Sequence, residues 1–157
     1  MPRVKTEKRG KKAYERGAEL EKRVARWLKS QFGYECKKRE LMRGKVTKRP
    51  HEVDIHARKE GWFSTTHLWV ECKAYKIKRT HVTKLVESAR DVKDAYNDDI
   101  EKWCADMLML VSNKGFDVDA IGMANKYYIY CVNAGRTFAF VGKMDREDFE
   151  NKETSEY

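Results

Sequence analysis

The run MLMLV, residues 107–111, is apolar without a break. An alternating strand has one face to bury, whereas a strand apolar at every position must be covered on both. The chain therefore has to supply layers on two sides of a sheet. The run is far too short to cross a bilayer, which takes about 20 apolar residues.

Two amphipathic helices are available as cover. From about Tyr14 to Phe32 the positions Leu20, Val24, Trp27, Leu28 and Gln31 follow helical spacing, and Gly33 closes the run. From Thr80 to Tyr96 the positions Val82, Leu85, Val86, Ala89, Val92 and Tyr96 do the same. Asp117 is placed to cap a short third helix through about Asn125.

Other segments read as strands. Tyr34 to Arg39 predicts a short one, and the Gly44- and Pro50-containing stretch LMRGKVTKRP after it predicts a basic loop. HEVDIHARK alternates, with Val53, Ile55 and Ala57 on one side and Asp54 and His56 on the other. HLWVECKAY follows, with Leu68, Val70, Cys72 and Ala74 opposite Trp69, Glu71, Lys73 and Tyr75. YYIYCV and TFAFVG, joined by NAGR, predict a hairpin. The expected fold class is α/β, a central mixed sheet flanked by helices.

At 157 residues the chain suits one domain. Residues 1–13 read as a basic flexible arm, 14–144 as the domain and 145–157 as a frayed polar tail. MPRVKTEKRGKK holds no apolar stretch that could act as a signal peptide, so a soluble, cytoplasmic protein without membrane partners is expected. Cys36, Cys72, Cys104 and Cys131 form no C-x-x-C pair, and the four histidines lack finger spacing, so neither a disulfide framework nor a zinc site is indicated.

A formal net charge of +9 favours a polyanionic partner, nucleic acid before a membrane surface. The distribution sharpens this. Lys37, Lys38, Arg39, Arg43, Lys45, Lys48 and Arg49 lead into the Asp54 strand, and Lys76, Lys78, Arg79 and Lys84 follow the Glu71 strand. As a cluster they suit DNA phosphates; singly, each is equally at home on a solvated face.

Glu71 and Lys73 point the same way from a strand otherwise built of apolar residues and cysteine. If the Asp54 strand pairs with it antiparallel, two carboxylates and an ammonium gather together. Carboxylates that repel one another invite a divalent cation, and hard oxygen donors suit Mg²⁺, or Mn²⁺ as a substitute. A lysine two strand rises away can approach a metal-bound water or an attacked phosphate. Trp62 and Phe63, in the turn between these strands, suit either base stacking or packing at a hairpin tip. His81, near a helix start, is placed to touch a phosphate.

Asp54 with Glu71-Cys72-Lys73 resembles the PD-(D/E)xK signature of the restriction-endonuclease-like nucleases, in particular the Mrr-like enzymes and archaeal Holliday-junction resolvases. RGAELEKRVARWL resembles the first helix of those branches at Gly17, Glu21 and Val24, with Glu19 as the reserve for Glu21. The resemblance covers residues from about 15 to 112, and Val53 stands where the signature has proline. It implies Asp54 and Glu71 as Mg²⁺ ligands, with the Cys72 backbone carbonyl as a further ligand. It also implies Lys73 at the nucleophilic water and Glu21 at a second metal or an outer-shell water. The activity implied is Mg²⁺-dependent hydrolysis of DNA phosphodiesters, structure-selective or Mrr-like, by a monomer or a homodimer. A non-catalytic DNA-binding module on the same fold and an RNA-cleaving nuclease are the competing readings.

Overall fold

The computed structural model describes residues 2–157, with side chains from Lys11 onward. Helix α1 (Pro2–Phe32) leads into strands β1 (Glu35–Met42), β2 (His51–Glu60) and β3 (Thr65–Lys73). Then come α2 (Arg79–Asn97), β4 (Met107–Ser112), α3 (Val118–Lys126), β5 (Tyr130–Ala134), β6 (Phe138–Val141) and α4 (Arg146–Glu150). The six strands form one mixed sheet in sequence order, with β3–β4 and β4–β5 parallel and the other neighbours antiparallel. This is the α/β architecture expected. The parallel pairs are those joined through α2 and α3, since parallel strands need a crossover and antiparallel ones only a turn.

Each face of the sheet has its own core. Leu20, Val24, Trp27 and Leu28 of α1 pack on Ile55, Leu68, Val70, Met109 and Val132. On the other face Val82, Leu85, Val86 and Ala89 of α2 meet Trp69, Leu108 and Leu110, with Ala120 and Ala124 of α3 alongside. Strand β4 is buried at every position, so the uninterrupted apolar run marks the sheet's interior. Among the described residues no helix is long and apolar enough to cross a membrane.

Four expectations need correction. Residues 1–13, read as a flexible arm, belong to α1 from Pro2 on; Lys, Arg, Glu and Ala are good helix formers, so composition alone did not mark a boundary there. The tail 145–157 is docked, not frayed. Phe149 of α4 is buried beside Phe32, Tyr34, Tyr130 and Phe140, the Ser155 N–H donates to Asp106 O, its hydroxyl donates to Tyr128 O, and the Tyr157 hydroxyl donates to Ala105 O. Asp117 occupies the N-cap position of α3 but makes no side-chain cap bond, and its carboxylate pairs with Lys76 at 3.2 Å. Finally, Val53 lies in the α2-side core while Ile55 and Ala57 lie in the α1-side core, so β2 switches faces at Asp54.

The face switch has a visible origin. Arg39 of β1 is left-handed (φ 58°), and the β1–β2 register passes from Lys38↔Ile55 to Glu40↔Val53 without pairing Arg39 with Asp54. On the other side, β2–β3 pairing ends at Ile55↔Val70. Beyond that point β2 leaves β3, opening the sheet at Asp54.

Candidate active site

If the β2–β3 ladder continued, Val53 would face Cys72. Instead the Asp54 carboxylate accepts the Cys72 backbone N–H at 2.9 Å, taking the place of the missing strand partner. Within a strand residue the N–H and C=O leave on the same side, so the Cys72 carbonyl faces the same opening. One step before it, Glu71 projects toward α2, where its Oε1 accepts the Trp69 indole N–H at 2.8 Å. Lys73 follows at the strand end.

Asp54, Glu71 and Lys73 line one cleft of about 550 Å³, together with Tyr75, His81 and Lys84. The first two come from diverging strands, and His81 and Lys84 come from the first turns of α2. The three residues expected to act together are therefore brought together. A ligand crevice at the carboxyl end of β3, where a crossover helix begins, follows the general habit of open α/β sheets.

The electrostatics explain what the cleft wants. Burial raises the Glu71 carboxyl well above its ordinary value, and the adjacent Asp54 carboxylate raises it further. The Trp69 hydrogen bond and Lys73 oppose the rise without cancelling it. Lys73 is raised: burial works against its charge, but Glu71, Tyr75 and Asp54 outweigh that. Lys73 is thus an ammonium at neutral pH, a donor and counter-charge rather than a base. His81 is lowered by burial and by Lys73, Lys78 and Lys84. Its Nδ1 accepts the Lys78 N–H at 2.9 Å, so the neutral ring carries its proton on Nε2.

Glu21 is only 8% exposed, whereas the Glu19 side chain is 71% exposed and pairs with Lys22. Glu21, not Glu19, therefore faces inward. Burial raises its carboxyl and so does Asp54, while Arg39 at 3.4 Å lowers it. It feels the Asp54 charge from the α1 side of the sheet and does not line the cleft. Arg39, expected to hold DNA, is instead committed to Glu21 and to the Tyr14 hydroxyl.

The other basic candidates divide. Lys37 pairs with Glu40, Arg43 with Glu101, Lys45 with Asp98 and Lys76 with Asp117. Lys38, Lys48, Arg49, Lys78, Arg79 and Lys84 are exposed and make no ion pair among the described residues. The loop carrying several of them is not loose. Asp91 of α2 accepts from the N–H groups of Val46 and Thr47 and from His51, and these bonds outweigh burial to hold its carboxyl far below the usual range.

Sequence reading had left Tyr75 on the Glu71 face without a role and did not find Asp91. The Tyr75 ring lies 5.3 Å from the His81 ring, tilted by 52°, with the Lys73 ammonium 5.9 Å from its centre. Its position two residues after Lys73 was the available signal. Asp91 carried none, because its partners are backbone N–H groups far away in sequence.

Among the described residues no group of three or more His, Cys, Asp or Glu encloses a metal position. Two carboxylates lining one cleft, with the Cys72 carbonyl beside them, nevertheless fit Mg²⁺, which is usually bound by one or two carboxylates and keeps several waters. No protein-family model matches the sequence, and no curated protein does. A similar fold occurs in the crystal structure of a protein of unknown function, AF1548, with a TM-score of 0.52 and 19% identity over 66% of this chain. The match spans 50% of that chain, so this protein covers about half the length of its neighbour, and the likeness concerns the fold alone.

Proposed function

We propose that the protein is a Mg²⁺-dependent DNA endonuclease of the PD-(D/E)xK kind. The observation that carries this reading is the convergence of Asp54, Glu71 and Lys73 on one cleft at the point where β2 leaves β3. Two mutually repelling carboxylates in a rigid, partly buried cleft are costly without a cation to share.

Asp54 and Glu71 would hold Mg²⁺, with the Cys72 carbonyl beside them and Glu21 behind Asp54 as support or as a second position. Bound there, the ion would supply charge neutralisation at the phosphate and a water of lowered pKa. Lys73 keeps its proton and orients the attacking water or offsets phosphate charge. The His81 Nε2–H is a neutral donor for a phosphate oxygen, and Lys84 adds a cation at the rim. Lys78, Arg79, Lys48 and Arg49 carry the flanking backbone.

The test is incubation of supercoiled plasmid, a four-way junction and single-stranded RNA with the protein, in Mg²⁺ or in EDTA. DNA cleavage in Mg²⁺ that is lost in EDTA and in Glu71→Gln and Lys73→Ala is expected. Cleavage that persists in EDTA or in those variants overturns the reading, binding without cleavage assigns a DNA-binding module, and cleavage of RNA alone assigns a ribonuclease.

A further inference from the structure

The positive charge that favours a polyanionic partner is not spread evenly along the chain. Up to Phe32 the sequence holds 11 Lys and Arg against 4 Glu, a net +7 of the total +9, and everything after it is nearly balanced. The cations flanking the cleft, Lys48, Arg49, Lys78, Arg79 and Lys84, all lie outside that stretch.

Helix α1 has two parts. Its second half packs on the sheet through Leu20, Val24, Trp27, Leu28 and Phe32. From Lys11 to Arg16, by contrast, every residue is exposed, and a helix exposed through more than a full turn stands clear of the body. Contacts set the direction in which it leaves. Ala25 O accepts the Cys36 thiol, and Cys36 stands level with Leu68 and Met107 near the starts of β3 and β4. Arg23 donates to the carbonyls of Ala134 and Gly135 at the end of β5, and Lys12, Arg16 and Leu20 share a cavity of about 360 Å³ with Asn113, the residue after β4. So α1 runs against β3 and β4, and its exposed turns project past their carboxyl ends, the edge at which the cleft opens. Arg39 fixes that projection. Its guanidinium donates to the Tyr14 hydroxyl on the exposed part and to Glu21 on the packed part, and it lies 4.7 Å from the Tyr14 ring centre. The residue whose backbone opens the sheet at Asp54 thus also holds the arm beside the gap.

Surface and charge select the occupant. Between Lys11 and Arg16 the only apolar side chains are Ala13 and Tyr14, and Tyr14 is held by Arg39, so the arm has no apolar face to bury in a membrane or a protein groove. Lys11, Lys12 and Arg16 stand against Glu15, and Glu19 one turn on is offset by Lys22 at 3.8 Å. From Pro2 to Arg16 the helix is about 21 Å long at 1.5 Å per residue. Over that length duplex DNA presents about 12 phosphates, one per 1.7 Å of axis.

We propose that the projecting half of α1 is a phosphate-binding arm that grips the backbone of duplex DNA lying across the sheet edge, on the α1 side, while the cleft engages it from the α2 side. This rests on the nuclease reading and deepens it by naming how the substrate is held. Backbone contacts carry no sequence information, so the arm supplies affinity to any duplex.

The full chain is titrated in EDTA with two fluorophore-labelled blunt duplexes of unrelated sequence, reading anisotropy from 50 to 300 mM salt. The variants are Lys11→Ala/Lys12→Ala/Arg16→Ala, the charge-keeping Lys11→Arg/Lys12→Arg, and a control removing the exposed Lys102, Lys126 and Lys143. Alanine is a better helix former than the residues it replaces, so the arm stays helical. Expected in the alanine triple are a plot of log affinity against log salt shallower by about 2.7 and an affinity at least about ten-fold lower, equally for both duplexes. The arginine variant and the control should match the parent. An unchanged slope in the alanine triple overturns the proposal, as does an equal loss in the control. It is also overturned if the triple keeps its DNA affinity and loses binding to poly-glutamate or to phosphatidylserine vesicles instead. In each of these cases Mg²⁺-dependent cleavage of DNA by the parent leaves the nuclease reading standing. The expected loss of DNA affinity, with no cleavage by the parent in Mg²⁺, upholds the arm and overturns the nuclease, and absence of any DNA binding overturns both.

Discussion

Glu71→Gln should stabilise the protein while disabling it. Gln keeps an acceptor for the Trp69 indole N–H, now 2.8 Å from Glu71 Oε1, and adds an amide that can donate to Asp54. It removes one of two carboxylates that raise each other's cost in a buried site. Like charges at contact in a site of effective dielectric about 20 repel by about 4 kcal/mol, which bounds the effect from above. Lys73 offsets part of that, so a net gain of about 1–2 kcal/mol is expected. For a domain of this size each kcal/mol moves Tm by about 2–4 °C, giving a rise of about 2–8 °C in EDTA. Glu71→Ala should do the opposite, losing about 1–3 kcal/mol by leaving a buried indole N–H unpaired. Excess Mg²⁺ should raise the Tm of the parent and leave both variants unmoved. Calorimetric melting of the three proteins, with and without Mg²⁺, is sufficient. A Glu71→Gln protein that melts below its parent in EDTA would refute the electrostatic account of the cleft, and a parent indifferent to Mg²⁺ would refute the ion's place in it.

Phe149→Ala removes a ring packed on Phe32, Tyr34, Tyr130 and Phe140 and should cost about 3–5 kcal/mol in chemical denaturation; a loss below about 1 kcal/mol would mean that α4 is not docked. Gly44→Ala would put a carbon 1.7 Å from Asp91 Oδ2, forcing that carboxylate off Val46, Thr47 and His51. Hydrogen exchange should then quicken at Val46 and Thr47 with about 1–3 kcal/mol lost, and unchanged exchange would show the loop is held otherwise. His56 and His67 are lowered chiefly by burial, so between their ordinary value near 6.5 and their folded values the unfolded chain holds more protons. Stability should therefore fall as pH drops below about 6.5, and Glu40 adds a further loss in more acid solution, because hydrogen bonds from Trp103 and His56 outweigh burial to lower it. Denaturation midpoints flat from pH 7 to 5 would contradict this.

Period-two and period-3.6 patterns carried most of the fold, because burial on one face imposes them directly. They also pointed to the strands that line the cleft, since Glu71 and Lys73 interrupt an apolar context. Three features escaped for physical reasons. The face switch at Asp54 depends on the left-handed backbone of Arg39, a residue whose side chain gives no sign of it. The docked tail rests on Phe149 and on hydrogen bonds made by Ser155 and Tyr157, too sparse to make a periodic pattern. The commitment of Arg39 to Glu21 was illegible because a cation facing phosphate and a cation facing carboxylate look alike in sequence.

The irregularity at Asp54 is also what makes the site possible. In a regular antiparallel pair β2 would satisfy Cys72 with backbone, and the Asp54 side chain would stand perpendicular to the sheet, away from any opening. Because Arg39 breaks the β1 ladder and β2 leaves β3 after Ile55, Asp54 lies in the gap, within reach of Glu71 on one face and Glu21 on the other. The acidic groups then act on one another's charge from the two sides of the sheet. Proline at the Val53 position would enforce the same departure, since it has no N–H for a ladder. Here Val53 is instead anchored in the α2-side core, and the left-handed Arg39 opposite supplies the break. Arg39→Gly should accordingly preserve the divergence, because glycine accepts that conformation, while Arg39→Val, which resists it, should pull Asp54 back toward regular pairing. A nuclear Overhauser contact between Val53 and Cys72 appearing in Arg39→Val but not in Arg39→Gly would report that closure, and its appearance in neither would locate the cause of the gap elsewhere.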